Sequence, residues 1–197
     1  MTIGLLKEPA HETRVSLLAE SVAVLVKKGI TVCVESGAGD TAFSHNAEYE
    51  KAGASIKSRA DVLRSADIIL CIQPISASEV DGLQSKILIG VYQPLYNIEQ
   101  INSLAKAGIT TFSLDMLPRT TRAQIMDVLS SQANIAGYKA VLAAADLYPR
   151  YFPMFMTAAG SIPPAKVLIL GAGVAGLQAV ATARRLGAVV EVFDKLR

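Results

Sequence analysis

Lys166-Val-Leu-Ile-Leu-Gly171-Ala-Gly173-Val-Ala-Gly176-Leu-Gln-Ala-Val180 is the stretch that decides how this chain is read. Residues 166–170 form an apolar run of strand length. A G-x-G-x-x-G turn follows without a gap, and small and apolar residues then continue at helical spacing to Leu186. A second run, 188–193, reads as another strand and ends in Asp194. Strand, glycine turn, helix, strand and terminal acid, in that order, are the parts of a dinucleotide-binding βαβ unit. Gly171 suits the tight turn, Gly173 lets the backbone approach a pyrophosphate, and Gly176 allows close packing of helix on strand. From Val174 the helix start offers unpaired N–H groups and a partial positive charge to phosphate. Asp194 is placed to accept from a ribose 2′-hydroxyl, with Lys195 beside it. Gly171, Gly173, Val174, Gly176, Asp194 and Lys195 are therefore the candidate coenzyme-binding residues.

The same acid speaks to the choice of coenzyme. A 2′-phosphate carries about −1.5 to −2 charges near neutral pH, and a carboxylate facing it repels it. NAD(H) is thus expected over NADP(H), with Lys195 and Arg197 softening the repulsion. The uncharged stretch 167–183 is not read as a membrane span. It is shorter than the ~20 apolar residues a bilayer requires, and its glycines weaken it as a helix.

Outside this stretch the composition sets limits. A chain of 197 residues holds one or two domains. A net charge of +2 gives nucleic-acid binding no electrostatic footprint. Lys27-Lys28 and Arg184-Arg185 fall late in expected helices, where they suit the negative helix end. Cys33 and Cys71 lie in expected strands and read as buried, reduced thiols. Two isolated histidines, His11 and His45, give no metal-ligand spacing, so no metal is expected. The N-terminus has neither the apolar run of a signal peptide nor the character of a transit peptide.

Residues 1–120 alternate strand and helix, as a Rossmann- or flavodoxin-like α/β domain does. Strands are expected over 2–6, 30–35, 54–57, 67–72, 86–91 and 109–113. Helices are expected over 46–52, 60–65 and 98–107, and after Ser16, with Leu17, Leu18, Val22, Leu25 and Val26 as an apolar stripe stopped by Gly29. Ser16 and Asn97 read as N-caps. The strands are apolar throughout rather than alternating, as a parallel sheet covered on both faces requires. Ile125, Val128, Leu129, Ala133, Ala136, Ala140, Val141 and Ala144 fit one linking helix over 121–147, and the proline-rich 148–165 reads as a connector. The nucleotide fold then starts at Lys166 and runs over 166–197. The expected class is α/β: two doubly wound parallel-sheet domains, the second stopping after its first βαβ unit. A lone βαβ unit leaves an open sheet edge and an uncovered apolar face, so the sequence reads as the front portion of a longer protein.

Three further motifs carry a family resemblance over the whole length. They are Lys7-Glu8-Pro9 with Glu12-Thr13-Arg14-Val15, then Val34-Glu35-Ser36-Gly37-Ala38-Gly39, and the run from Pro118 to Tyr138. That run, Pro118-Arg119-Thr-Thr-Arg122-Ala-Gln124-Ile-Met-Asp127-Val-Leu-Ser130-Ser131-Gln132-Ala-Asn134-Ile-Ala-Gly137-Tyr138, is similar to P-R-x-S-R-A-Q-x-M-D-x-L-S-S-Q-A-N-x-A-G-Y. Ala158-Ala159-Gly160 and Pro163-Pro164-Ala165-Lys166 match the lead-in to the nucleotide domain. Together these resemble the NAD-binding alpha subunit (domain I) of the proton-translocating NAD(P) transhydrogenases, within the alanine dehydrogenase/transhydrogenase superfamily.

The resemblance implies a loop that closes over nicotinamide, and by motif it assigns Arg119, Gln124, Asp127 and Ser130 as catalytic-site residues. Gln124, Asp127 and Ser130 stand three apart, so they are expected on one face of the first helical turns. Gln124 can bond a carboxamide both ways, and Asp127 can accept from ribose hydroxyls or hold Arg119. The resemblance also implies an NADP(H)-binding domain or subunit, a membrane-spanning domain or subunit, a homodimer, and a place at the cytoplasmic or matrix face of an inner membrane.

Alanine dehydrogenase-like relatives keep a lysine and a histidine for acid–base work beside the nicotinamide. The corresponding stretches here, Leu70-Cys71-Ile72-Gln73-Pro74 and Gly90-Val91-Tyr92-Gln93-Pro94-Leu95, hold neither. Arg14 persists and is expected to pair with Glu8 or Glu12. Direct hydride transfer between two nicotinamides needs only that the rings be held in near-attack geometry, away from water. The expectation is a transhydrogenase component. An NAD-dependent amino-acid dehydrogenase, a non-catalytic NAD-binding or assembly module, and a piece without a stable fold are the alternatives. One departure stands out: Asp-x-Arg is usual at the end of the second strand, and Leu196 occupies the arginine position.

Overall fold

The structure, a computed structural model, describes residues 1–118 and 120–195. Its chain divides by internal packing into two compact units, Met1–Met126 and Asp127–Arg197.

The first unit is built on six parallel strands: β1 (Thr2–Leu5), β2 (Thr31–Glu35), β3 (Ser55–Lys57), β4 (Ile68–Leu70), β5 (Ile87–Gly90) and β6 (Thr110–Ser113). Their order, β3-β2-β1-β4-β5-β6, is that of a doubly wound nucleotide-type sheet. Each strand lies within the span expected for it. Between them run α1 (Ala19–Lys27), α2 (Asn46–Lys51), α3 (Arg59–Ser65) and α4 (Ile98–Lys106). One buried cluster gathers Ile3, Leu5, Val22, Val32, Val34 and Tyr49. The other gathers Leu6, Cys33, Val62, Ile69, Leu88 and Leu104. Two cores on one sheet explain why its strands are apolar throughout.

Helix starts differ from the sequence reading. Ser16 does not cap α1; the N-cap is Leu18, which has no side-chain acceptor, and the Ala19 N–H donates instead to Ser44 Oγ at 3.2 Å. Asn97 does stand at the N-cap of α4, but its amide donates to the Tyr92 carbonyl at 2.9 Å rather than capping the helix. Ser58 caps α3 by accepting from the Asp61 N–H.

In the second unit, α5 (Val128–Leu147) packs along α6 (Val174–Arg185), which crosses from β9 (Lys166–Leu170) to the parallel β10 (Val189–Phe193). Val141, Phe152, Ala165, Ile169, Ala179 and Ala183 form its core. Ile169 points into that core, whereas Leu168 and Leu170, on the opposite face of β9, are 61% and 74% exposed. The uncovered apolar sheet face expected of a lone βαβ unit is therefore present. Two expectations are corrected. The linking helix begins at Val128, not at 121, because Asp127 caps it and Gln124–Met126 form a separate 3-10 turn. The expected connector contains an antiparallel hairpin, β7 (Phe155–Thr157) with β8 (Gly160–Ile162).

Candidate functional site

The glycine turn joins β9 to α6. Gly171 takes φ +97°, a left-handed conformation that an L side chain resists. A Cβ at Gly176 would overlap the Gly171 carbonyl oxygen, so the helix reaches its close position only without a side chain there. A Cβ at Gly173 would meet nothing within 4 Å; the backbone at that point is open to an approaching group. The Leu177 N–H donates to the Gly173 carbonyl at 2.8 Å and is the first to find an intrahelical acceptor. The N–H groups of Val174, Ala175 and Gly176 precede it and have none within the helix. They form an anion cradle at the positive end of α6. At the end of β10, Asp194 reaches back, and its Oδ2 accepts from the Ala172 N–H at 2.7 Å. The acid expected to hold a ribose thus sits against the glycine turn, with Oδ1 as its second acceptor. Lys195 is exposed just beyond it. These features fit the phosphates and ribose of a dinucleotide.

The residues assigned to the nicotinamide end are only partly gathered. Asp127 accepts from the Ser130 N–H at 2.9 Å and the Ser130 hydroxyl at 2.6 Å, which makes the pair the N-cap of α5. Gln124 does not share a helix face with them; it is exposed, on the 3-10 turn of the first unit. Arg119, Leu196 and Arg197 lie outside the described residues.

Sequence reasoning did not anticipate a polar cleft of about 430 Å³ in the first unit. It opens at the carboxyl ends of β1, β2 and β4, where the direction of strand order reverses, and Lys7, Glu8, Glu35, Arg59, Gln73 and Glu79 are among its lining. Its charges are largely spent on one another. The Arg59 guanidinium donates to Glu79 at 2.5 and 3.2 Å, to Glu35 at 2.9 Å and to the Lys7 carbonyl at 3.1 Å. Beside that guanidinium the Glu79 carboxyl falls to about 2. Glu8 is buried and accepts from the Ile72 and Gln73 N–H groups at 2.6 and 2.9 Å. Burial nevertheless raises its pKa, against the pull of those two bonds. Arg14 pairs with Glu12 at 2.6 Å, and that hydrogen bond draws the Glu12 carboxyl to about 2. Cys71 and Tyr92 are buried against each other, Sγ to Oη 3.5 Å, and burial pushes the Cys71 thiol up to about 11. Among the described residues, no group of acidic, histidine or cysteine side chains could hold a metal ion, and no helix is long and apolar enough to cross a membrane.

Comparison with known proteins agrees with this geometry. Residues 4–136 match the family described as "Alanine dehydrogenase/PNT, N-terminal domain", and residues 140–197 match its "C-terminal domain". The chain is 45% identical over 201 residues to the first of the polypeptides that make up NAD(P) transhydrogenase subunit alpha in Rickettsia prowazekii, covering 98% of this chain and 52% of that protein. A crystal structure of transhydrogenase from Sinorhizobium meliloti superposes with a TM-score of 0.93 at 50% identity, over 98% of this chain and 58% of that one. An L-alanine dehydrogenase structure superposes with a TM-score of 0.84 at 30% identity, over 98% of this chain and 55% of that one. The chain thus spans about half the length of the curated relatives it matches.

Proposed function

We propose, from the premise that this chain belongs to the alanine dehydrogenase/PNT family, that it is the NAD(H)-binding component of a transhydrogenase. In this reading hydride passes from NADH to NADP⁺, or back, with the NADP(H) held on a separate domain or subunit. A membrane-spanning component then couples the exchange to proton movement, and the chain works at the membrane face within that assembly, as a homodimer.

The observation that carries the reading is the glycine turn. An open Gly173, an unpaired helix start and an acid fixed 2.7 Å from the Ala172 N–H are what a pyrophosphate and its ribose require. The carboxylate favours NAD(H) over NADP(H) by repelling a 2′-phosphate. Val174 and Gly176 contribute N–H groups, and Lys195 faces solvent where it can meet a phosphate. Asp127 and Ser130 are assigned to the nicotinamide half together with Gln124 and Arg119, where they orient the ring and its ribose and move no proton. Bound NAD(H) supplies the hydride-accepting or hydride-donating ring.

Support for transfer between coenzymes, rather than amino-acid oxidation, comes from the two stretches that lack lysine and histidine. In the structure, Ile72 and Gln73 of the first stretch give their N–H groups to Glu8. An amino-acid dehydrogenase needs a titratable group at the reacting carbon, and neither stretch supplies one. Two measurements test the reading. The chain contains no tryptophan, so NADH fluorescence reports binding without protein background. Saturable enhancement, displaced by NAD⁺ and weakly by NADP⁺, is expected; flat fluorescence sinks the coenzyme assignment. Reconstituted with an NADP(H)-binding component, the full protein should reduce an NAD⁺ analogue from NADPH. Alanine-dependent NAD⁺ reduction at a comparable rate would establish the dehydrogenase reading instead.

A further inference from the structure

Helices α5 and α6 meet backbone to backbone at Gly137. This residue is buried in α5 and faces the first turn of α6. A Cβ built there would overlap the Ala175 carbonyl oxygen and stand 2.8 Å from its carbon and 3.0 Å from the Ala175 Cα. All three are backbone atoms, so no side-chain rotation relieves the clash. One turn earlier on α5, the Asn134 amide donates to Gln178 Oε1 at 3.1 Å. The Gln178 amide in turn donates to Thr182 Oγ1 of α6 at 3.2 Å.

The contact lies between the two ends of the candidate site. In one direction Ala175 is followed by Gly176, which is pressed against the Gly171 carbonyl of the phosphate-binding turn. In the other direction α5 runs unbroken from Gly137 to its N-cap, Asp127 with Ser130. Ten residues of helix make that arm about 15 Å long. An α-helix is stiff over three turns, so its seat on α6 fixes where its far end lies.

We propose that Gly137 is a positioning residue that seats α5 on the first turn of α6 and so sets the separation between the glycine turn and the Asp127–Ser130 end. The proposal rests on the reading that the turn holds the pyrophosphate of NAD(H) and that α5 presents its cap to the nicotinamide half. A methyl group at position 137 must push the helices apart. The turn and Asp194 stay together, because their contact does not pass through α5. A ligand held by that end alone keeps its affinity, and one spanning both ends loses it.

The experiment compares NADH with AMP, which carries only the adenosine half and one phosphate. Both are titrated against the wild-type chain, Gly137→Ala and Asn134→Ala. Wild-type binding of both ligands is the starting condition, and its failure sinks the coenzyme reading along with this one. With Gly137→Ala, NADH affinity is expected to fall at least tenfold while AMP affinity stays within about twofold. Asn134→Ala removes the interhelical hydrogen bond without a clash and should show the same asymmetry at two- to threefold. It decides the matter should Gly137→Ala fail to fold. Equal losses for AMP and NADH, or unchanged NADH affinity in folded variants, would overturn the proposal while leaving coenzyme binding intact.

Discussion

The Asp194 carboxylate accepts a hydrogen bond from the Ala172 N–H across the glycine turn, 2.7 Å away and 22 residues upstream in sequence. One side chain therefore ties the end of β10 to the start of the dinucleotide cradle. The bond and the charge can be separated by substitution. Asp194→Asn keeps an acceptor oxygen for Ala172 but removes the negative charge, so the turn should hold its shape. Repulsion of a 2′-phosphate would then vanish. The expected result is a shift of about tenfold toward NADPH in the ratio of NADPH to NADH affinity, roughly 1.4 kcal/mol. Equilibrium titration of both coenzymes measures it. An unchanged ratio would place the discrimination elsewhere.

Asp127 poses a similar question, since it serves as the N-cap of α5 as well as a candidate nicotinamide contact. Asp127→Ala removes the acceptor for the Ser130 N–H, and loss of such a cap costs about 1 kcal/mol. In a chain of this size that lowers Tm by about 2–4 °C. Asp127→Asn still caps, so its Tm should match the wild type. If the carboxylate also orients coenzyme, Asp127→Asn will slow hydride transfer in the reconstituted enzyme with no loss of stability. A wild-type rate for Asp127→Asn would confine the residue to capping.

The Arg59–Glu79 pair gives the first unit a pH dependence whose sign can be worked out. The folded Glu79 carboxyl sits at about 2, below its ordinary 4.5, because the Arg59 guanidinium donates to it. A depressed carboxyl stabilises the fold above pH 4.5, and that stability drains away as pH falls from 4.5 toward 2. Glu79→Gln abolishes this contribution. Urea melts should show the wild type more stable at pH 6, with the gap to Glu79→Gln closing between pH 4.5 and about 2. Glu12, held low by Arg14, and Glu8, raised by burial, contribute with opposite signs to both proteins, so they cancel in the difference. A gap independent of pH would show that Arg59 holds its place without Glu79.

How much of this was legible beforehand follows from what each residue contacts. The strand runs of the first unit were readable because both faces of the sheet are buried, so apolar residues mark them without interruption. The glycine turn was readable for a similar reason: backbone geometry admits few residues there. Ser16 misled because the acceptor for the Ala19 N–H is Ser44, distant in sequence, and local spacing carries no trace of it. Gln124 misled because a spacing of three looks helical, yet Asp127 turns its side chain onto Ser130 and starts the helix after Gln124 has passed. The β7–β8 hairpin hid among prolines, since its short strands are exposed and show no buried alternation. The Arg59 cluster depended on three strands and a loop converging, a tertiary fact with no motif.

The two cysteines offer a last check that needs no coenzyme. Cys33 is fully buried in β2, and Cys71 is 3% exposed, its Sγ 3.5 Å from Tyr92 Oη. Burial lifts the Cys71 thiol to about 11, so little thiolate forms near pH 8 even if reagent reaches it. Native protein should therefore yield almost no rapid reaction with a disulfide reagent such as DTNB at that pH. In denaturant both thiols should titrate at once, giving 2 per chain. Tyr92→Phe removes the hydroxyl beside Cys71 but leaves the ring packed, so the native thiol should stay slow. A fast native reaction at one thiol would mean that the carboxyl-end loop of β4 opens in solution. The Ile72 and Gln73 bonds to Glu8 would then be broken for a fraction of the time, and Glu8→Ala should speed the reaction further.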